Sequence, residues 1–200
     1  SELVTRRDTF RGTYLQCGSE EVHTLPDFQA YRGKVDLVAT SPPYFSAELY
    51  NDEPTQSSRK FATYQDWREH FLARTMQTGA EWLRKGGYLI LNVANSGGHP
   101  IEDDVRLIAR QLKLKTVATE KMVLARSPGT GRNHGGHPTT WNFTTIRGKH
   151  RKWEPVYIFA KEHDTPSIKK FSFSRLHQPK VKSASHSPVA PVTPPKPKST

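Results

Sequence analysis

The feature that most constrains the fold is an almost continuous apolar run, Gly87–Ala94, which opens on a Gly-Gly turn. Apolar residues at nearly every position, rather than at every second one, are typical of a strand that is buried on both faces. A second short run rich in β-formers, Val35–Thr40, ends in a polar residue and predicts another strand of this kind. Both runs therefore predict central strands of a parallel sheet.

The segment between these two runs predicts a helix over Tyr64–Arg84 that ends at Gly86–Gly87. Its large apolar residues recur near helical spacing and are Trp67, Phe71, Ala80 and Leu83. A strand, a helix and a parallel strand make a βαβ unit. The sequence thus predicts an α/β fold.

Later elements extend this pattern. A second helix is predicted to start with Pro100 at its first position, and acidic residues follow in its first turn. One face of that helix carries Ile101, Val105, Ile108 and Leu112. Strands are predicted around residues 116–124 and 156–161, separated by a polar, glycine-rich stretch from Arg126 to Lys152. We expect a Rossmann-like sheet with a mixed edge formed by these late strands.

The charge of the chain favours a polyanionic partner. Thirty Lys and Arg against nineteen Asp and Glu leave a formal net charge of +11, and nucleic acid is the first partner to consider. The segment Thr165–Thr200 is basic, proline-rich and free of acidic residues. We expect a folded domain over residues 1–164 and a disordered basic tail over 165–200, which either only solubilises the protein or contacts phosphates.

The cysteine and histidine content argues against disulfide bonds and metal sites. The single cysteine, Cys17, excludes an intramolecular disulfide and a CxxC zinc site. His134, His137 and His150 have no Cys or carboxylate partners nearby in sequence, so no metal is expected. No apolar run approaches the roughly 18–20 residues of a membrane span, and Ser1–Gly18 has no secretory core. We expect a soluble intracellular protein, cytoplasmic or nucleoid-associated.

A short motif follows the first predicted strand directly: Ser41, Pro42, Pro43 and Tyr44. Ligands of open α/β sheets bind beyond the carboxyl ends of the strands. A Ser-Pro-Pro sequence can also be a simple turn that ends a strand. The position at the end of a strand is one that active-site residues occupy, and the residues alone leave both interpretations open.

On this motif the chain resembles the DNA amino-methyltransferases, which transfer a methyl group from S-adenosyl-L-methionine to the exocyclic nitrogen of adenine or cytosine. Ser41–Tyr44 matches their (Asp/Asn/Ser)-Pro-Pro-(Tyr/Phe/Trp) tetrapeptide. Further segments resemble the family in the same order along the chain: Lys34–Thr40, Tyr64–Trp67, Leu83–Val93 and Arg151–Lys161. The resemblance implies a DNA methyltransferase, of the kind found in restriction-modification systems.

The resemblance also implies roles for the tetrapeptide. Ser41 and the Pro42 carbonyl would accept hydrogen bonds from the target amine, while Pro42 and Pro43 fix the direction of that carbonyl. Tyr44 would stack on a base that has left the duplex. No thiol adduct is needed, so Cys17 is not expected to act as a nucleophile. Serine at the first position favours N4-cytosine over N6-adenine in this family.

The family's cofactor loop is not found in this sequence. Members carry a Phe-x-Gly-x-Gly type segment after a strand, and the nearest segment, Ser127–Gly131, lacks the aromatic residue. In the permuted branch, where the tetrapeptide precedes that loop, the loop would lie beyond Lys161. Tyr14–Ser19 resembles that branch's Gly-Asp segment, with Ser19 in place of the acid. The residues that bind S-adenosyl-L-methionine therefore remain unknown.

Three explanations stay open for this missing half of the fold. The chain is a split enzyme whose cofactor half is a second polypeptide or subunit, a shortened enzyme that binds the cofactor differently, or a relic that binds DNA or a partner without methylating. The sheet is expected to be incomplete on the cofactor side.

Basic residues are concentrated in the predicted polar stretch, interleaved with aromatic ones. The candidate DNA-binding residues are Arg126, Arg132, Arg147, Lys149, Arg151 and Lys152, and the aromatic residues among them are Trp141, Phe143 and Trp153. We predict that Arg126–Lys152 is a mobile loop, on which such a mixture suits phosphate contacts and base stacking, although it also fits a solvated surface. A second polar stretch, Ser46–Ala62, is predicted to be either a lid or recognition loop or disordered.

Overall fold

A computed structural model describes residue 12 and residues 14–45, 53–124, 142–146 and 149–173. These residues form one five-stranded sheet with helices. The strands are β1 (Val35–Thr40), β2 (Leu83–Asn92), β3 (Leu114–Val123), β4 (Asn142–Ile146) and β5 (Lys149–Lys161). The mixed α/β fold expected from the sequence is confirmed.

Helical segments precede β2 and β3. Two short helices, α1 (Phe28–Tyr31) and α2 (Ser57–Lys60), lie on either side of β1 in the chain. A longer helical stretch, α3, starts with the turn Tyr64–Asp66, passes through the π-helical segment Trp67–Leu72 and continues over Ala73–Trp82. The last helix, α4, is Ile101–Gln111. Thr63 caps the start of α3, because its side chain accepts a hydrogen bond from the Asp66 backbone N–H.

The strand order is β1-β2-β5-β3, with β4 beside β5. β1 and β2 are parallel and joined through α3, which confirms the predicted βαβ unit. β5 runs antiparallel to both β2 and β3, which confirms the mixed character of the late strands. Trp153 of β5 pairs with Val123 of β3 on one side and with Asn142 of β4 on the other. Strands β4 and β2 therefore lie on the same side of β5, one after the other along its length.

The boundary between α3 and β2 differs from the sequence prediction. The helix ends at Trp82. Strand β2 starts at the next residue, Leu83, which pairs with Val35 of β1. The Gly-Gly turn therefore lies inside β2, where the register jumps before Tyr88. Gly87 is required there, because a Cβ atom would lie 2.9 Å from the Asp36 carbonyl oxygen.

The core lies between one face of the sheet and helices α3 and α4. Buried side chains of that face include Leu89, Leu91, Tyr157 and Phe159. Helix α4 buries the predicted apolar face, because Ile101, Val105, Ile108 and Leu112 are all at most 1% exposed. The apolar periodicity thus predicted the packing direction of this helix correctly.

The opposite face and the β1 edge carry apolar residues that remain exposed. Leu37 on β1 and its register partner Tyr88 on β2 are 52% and 44% exposed. Within the described residues β1 pairs with β2 alone and none of its residues is buried. The prediction of a central strand buried on both faces was therefore wrong for β1, which lies at the edge of the described sheet. That arrangement agrees with a sheet that is incomplete on this side, which stays a prediction.

The predicted polar stretch Arg126–Lys152 contains ordered strands. Asn142–Ile146 forms β4, and Ile146 pairs with Lys149, so β4 and β5 make a hairpin. The prediction of a continuous loop was therefore wrong for this part. The signal that could have predicted this strand is composition, because four of the five residues in Asn142–Ile146 are aromatic or β-branched.

Ordered structure continues past the expected domain boundary at residue 164. The Thr165 hydroxyl donates to the Ala80 carbonyl at 3.0 Å, and Phe171 is 3% exposed, with Ile168 and Phe173 packed on the same core. The first residues of the predicted tail are therefore part of the folded unit. Residues 174–200 lie outside the described part. No helix in the described part of the chain is both long and apolar enough to span a membrane.

Candidate active site

The four motif residues form a tight turn at the carboxyl end of β1. Ser41 is exposed, Pro42 is buried, and Pro43 and Tyr44 are half-buried. The turn closes at Phe45, whose backbone N–H donates to the Pro43 carbonyl at 3.1 Å and whose φ is 43°. This φ lies in the left-handed region that a non-glycine residue rarely adopts. The turn thus presents a serine hydroxyl and a tyrosine ring from a rigid proline pair.

Ser41 contacts the last residue of the neighbouring strand. Its hydroxyl donates to Asn92 Oδ1 at 3.4 Å, a long hydrogen bond. The Asn92 amide Nδ2 in turn donates to the Pro155 carbonyl of β5 at 3.2 Å. The side chain of Asn92 therefore links the start of the motif to β5, a role that sequence reasoning did not identify.

Tyr44 is held by a carboxylate from the same region of β5. Its phenol donates to Glu154 Oε2 at 2.8 Å, and Glu154 is half-buried. A hydrogen bond to an ionised acceptor is stronger than one between neutral groups. The sequence marked Glu154 only as part of a strand resemblance, because no local pattern connects it to Tyr44.

An aromatic cluster supports the turn from below. Phe45 packs with ring centroids 5.7 Å from Tyr64, 5.8 Å from Trp67 and 5.3 Å from His99. Tyr64 and His99 stack face to face at 4.0 Å with an angle of 9°. Trp67 is fully buried. The predicted start of α3 thus supplies rings that anchor Phe45 and hold the motif in place.

A buried ion pair fixes this cluster to α4. Tyr64 donates its phenol proton to Asp104 Oδ2 at 2.6 Å, and Arg68 Nη1 lies 3.5 Å from Asp104 Oδ1. The Arg68 guanidinium also lies 3.7 Å from the ring centroid of Phe173. Asp104 is 6% exposed and belongs to the first turn of α4, where a negative charge is favourable.

The loop between β2 and α4 is held by a reciprocal pair of contacts. The Asn95 backbone N–H donates to Glu102 Oε1 at 3.3 Å, and the Glu102 backbone N–H donates to Asn95 Oδ1 at 3.0 Å. Glu102 also accepts from the Tyr157 phenol at 2.8 Å, while Arg106 donates to the same phenol oxygen at 2.8 Å. Burial and the Glu102 hydrogen bond raise the pKa of Tyr157 well above its ordinary value.

The predicted DNA-binding residues are only partly placed. Arg126, Arg132 and Arg147 lie outside the described residues. Lys149, Arg151 and Lys152 belong to β5, and Lys152 is exposed. On the neighbouring strand, Lys121 Nζ lies 4.9 Å from the ring centroid of Trp153. Their DNA-binding role stays a prediction.

Other sequence candidates are placed as follows. His134 and His137 lie outside the described residues, and within those residues no group of three His, Cys, Asp or Glu side chains is arranged to hold a metal ion. Cys17 is exposed. Loss of hydration, together with the carboxylates of Glu21 and Glu20, raises the pKa of its thiol, which works against a thiolate nucleophile.

Part of the predicted recognition loop Ser46–Ala62 is ordered. Its described residues include α2, and the Lys60 ammonium at the end of α2 pairs with both Glu20 and Glu21. Phe61 packs against the core cluster. Residues 46–52 lie outside the described part. The described portion therefore packs against the N-terminal segment and the core.

The described part of the chain has a small cavity beside the sheet and a larger one among the helices. One of about 100 Å³ lies beside β1 and is lined by apolar side chains together with Thr40, Ser19 and Thr75. The other, about 550 Å³, is lined by residues of α1, α3 and the segment Ser167–Lys169. No residue of Ser41–Tyr44 lines either cavity.

No protein-family model matches the chain, and no curated protein matches it. Solved structures of TTHA0409 from Thermus thermophilus, provisionally described as a DNA modification methylase, have a similar arrangement. Its selenomethionine form is 17% identical with a TM-score of 0.43, covering 76% of this chain and 53% of that chain. Its native form is 17% identical with a TM-score of 0.44, covering 75% and 53%. Its S-adenosyl-L-methionine complex is 18% identical with a TM-score of 0.41, covering 76% and 56%.

This chain thus spans about half the length of those solved structures. The candidate site of this chain is the Ser41–Tyr44 turn, which presents an exposed hydroxyl and an anchored aromatic ring at the edge of an α/β sheet where ligands bind.

Proposed function

We propose that this chain supplies the amine-recognising part of a DNA amino-methyltransferase, acting on N4 of cytosine in preference to N6 of adenine. The observation that carries the proposal is the placement of Ser41–Tyr44 at the carboxyl end of β1, with Ser41 exposed and Tyr44 bound to Glu154. Ligands of α/β sheets bind at this edge. The preference for cytosine rests on serine at the first motif position.

The chemistry of an exocyclic amine explains the need for these residues. The nitrogen lone pair is conjugated with the ring, so the amine is a poor nucleophile. Acceptors that bind its N–H groups draw the nitrogen towards a tetrahedral geometry and localise the lone pair. In the proposal Ser41 Oγ and the Pro42 carbonyl are those acceptors, and the proline rings fix their direction in advance.

Tyr44 supplies the platform for the base. A base inside a duplex cannot present its amine to these acceptors, so it must first rotate out of the stack. An aromatic ring beside the acceptors stabilises the rotated base by stacking. The net charge of +11 favours the approach of DNA phosphates.

The methyl donor proposed is S-adenosyl-L-methionine, and neither of the two cavities described above offers a site for it at the motif. The cavity beside Thr40 has a volume of about 100 Å³, whereas sites for molecules of this kind measure about 300–1,000 Å³. The larger cavity involves none of the motif residues. We therefore assign only amine recognition to the described residues and place the donor site outside them, on a second polypeptide or on other residues of this protein.

Substitutions at the motif test the proposal. Ser41→Ala should slow methyl transfer to duplex DNA by about 10²-fold under single-turnover conditions, while the Kd for DNA rises by no more than about threefold. Tyr44→Ala should weaken DNA binding by about 1–3 kcal/mol because base stacking is lost. Tyr88→Ala, at an exposed tyrosine elsewhere on the sheet, is the matched control. Unchanged transfer rates in both motif variants would refute the assignment.

The alternative function is a catalytically inactive module that binds DNA or a partner. The missing cofactor segment favours it. Calorimetric titration with S-adenosyl-L-methionine, with and without DNA, separates the two. Binding of the donor in either titration supports the enzyme. Tight DNA binding with no donor binding and no methyl transfer, also after addition of a lysate fraction from the source cells, supports the inactive module.

A further inference from the structure

We propose that Asn92 and Glu154 are positioning residues for the candidate site, Asn92 for the Ser41 hydroxyl and Glu154 for the Tyr44 ring. The inference rests on the proposed function, and it names the groups that prepare the site for an amine and a base. Both residues reach the motif from other strands, Asn92 from the end of β2 and Glu154 from β5.

The Asn92 contact decides which way the Ser41 hydroxyl acts. A hydroxyl carries one proton and two acceptor lone pairs. Asn92 Oδ1 takes the proton of Ser41, so both lone pairs of Ser41 Oγ are left to accept from an incoming N–H group. Without that acceptor the hydroxyl would be free to donate instead, and a donor facing an amine N–H is repulsive.

The orientation of Asn92 is itself fixed. Its Nδ2 donates to the Pro155 carbonyl at 3.2 Å, which leaves Oδ1 as the atom that faces Ser41. Asn92 pairs with Val156 in the β2–β5 ladder, so the backbone around this contact is held by the sheet. The contact between Ser41 and Asn92 is long, as catalytic hydrogen bonds often are before the substrate binds.

The Glu154 contact fixes the ring of Tyr44. The phenol and the carboxylate lie 2.8 Å apart, and this bond restricts the rotation of a ring that is otherwise only half-buried. A ring held in advance loses less conformational entropy when a base stacks on it. Glu154 also pairs with Met122 of β3, so it belongs to the interior of the sheet and not to a free loop.

The two contacts have a common origin. Glu154 and Pro155 are consecutive residues of β5, and they hold Tyr44 and, through Asn92, Ser41. Strand β5 lies between β2 and β3, so it is an interior strand of the sheet. The geometry points to one short segment of an interior strand that aligns both functional ends of the tetrapeptide.

The role of Asn92 is tested by discrimination between two oligonucleotides. One contains cytosine at the target position, and the other contains N4,N4-dimethylcytosine, which has no N–H to donate. Fluorescence polarisation measures both affinities with the full chain. We expect the parent to favour cytosine about tenfold, equivalent to one net hydrogen bond. Asn92→Ala should lower this preference by about threefold, since the Pro42 carbonyl still accepts, whereas Asn92→Asp keeps an acceptor for the Ser41 proton and should retain the preference.

The role of Glu154 is tested on the Tyr44 ring itself. Protein labelled with 13Cζ-tyrosine gives a Tyr44 signal that disappears in Tyr44→Phe. We expect Glu154→Leu to shift this signal and to lower the preference for cytosine over an abasic site by at least about threefold. Glu154→Gln keeps an acceptor oxygen and should restore both. Glu120→Leu, at an exposed carboxylate on β3, is the matched control and should change neither.

The outcomes separate this inference from the proposed function. If the parent protein does not prefer cytosine over the dimethyl base, both the proposed function and the role of Asn92 are contradicted. The Tyr44 signal still tests the role of Glu154 in that case, because it does not depend on DNA. A parent with the preference, together with an Asn92→Ala variant that folds and keeps it, overturns the role of Asn92 alone. An unchanged Tyr44 signal in Glu154→Leu overturns the role of Glu154.

Discussion

At the scale of single residues, Tyr157 should make the stability of the protein depend on pH. Its side chain is 1% exposed and is bonded to Glu102 and Arg106. Burial, and then the Glu102 hydrogen bond, raises its pKa above the ordinary value of 10.0. The folded protein therefore keeps this proton where the unfolded chain loses it, so the contribution is present below pH 10 and is lost as the pH rises further.

The measurement compares the parent with Tyr157→Phe. Urea unfolding at a series of pH values around and above 10 should give a free energy of unfolding that falls less steeply in Tyr157→Phe than in the parent. Tyr88→Phe, at an exposed ring, should retain the parent's slope. Equal slopes in the parent and Tyr157→Phe would show that Tyr157 is not the titrating group.

At the scale of elements, the end of helix α3 depends on one buried lysine. Lys161 is 6% exposed, and its ammonium donates to the carbonyls of Ala80 at 2.8 Å and Leu83 at 2.7 Å. These carbonyls belong to the helix end, which has no internal partners for them. Burial lowers the pKa of Lys161, but the two short hydrogen bonds favour a protonated side chain.

Replacing this lysine should therefore destabilise the fold. Lys161→Met removes the side-chain donor of the Leu83 carbonyl and one of the two donors of the Ala80 carbonyl, which also accepts from Thr165. It should lower the free energy of unfolding in urea by about 1–3 kcal/mol. The matched control is Lys115→Met, because Lys115 is exposed and forms only a surface pair with Glu162. That control should leave the free energy of unfolding close to the parent value, because an exposed ion pair contributes little. Equal effects in the two variants would contradict the capping role.

The π-helical segment Trp67–Leu72 is the other element with a local consequence. Such segments occur frequently near functional sites because they alter the direction of side chains. Here the segment starts at Trp67, which stacks on Tyr64 at a centroid distance of 5.8 Å. Both rings contact Phe45. The irregular part of α3 is thus the part that supports the tetrapeptide.

At the scale of the whole molecule, the C-terminal segment divides into two parts with different effects. Truncation after Asp164 removes Thr165 and Phe171 from the core and should lower stability. Truncation after Phe173 should leave the free energy of unfolding unchanged within about 0.5 kcal/mol. Urea unfolding of the two truncated proteins measures this difference. Equal stability of both would show that residues 165–173 add nothing to the folded unit.

The remaining residues, 174–200, carry five basic side chains and no acidic one: Arg175, Lys180, Lys182, Lys196 and Lys198. If they contact phosphates, truncation after Phe173 weakens binding to all duplexes alike. Each lost contact lowers the magnitude of d log K/d log[salt] by about 0.9. Binding to several duplexes over a salt series is the measurement. An unchanged slope would show that this segment does not touch DNA phosphates.

The sequence by itself determined the elements whose signals are local. The apolar runs of β1 and β2, the helical spacing in α3 and α4, and the position of Ser41–Tyr44 after a strand are all patterns within a few turns of chain. Such patterns reflect burial on one or both sides of a single element. They fix which elements form and where a ligand site would lie.

Tertiary structure alone decided what surrounds that site. Tyr44 and Glu154 are separated by 110 positions and Ser41 and Asn92 by 51, so no local pattern relates them. Their meeting depends on strand order and register, with β5 placed between β2 and β3. The packing of Phe171 depends in the same way on surfaces that exist only after the helices have docked on the sheet. Contacts between distant segments are set by the whole fold, because one residue of register shift would turn each side chain to the other face.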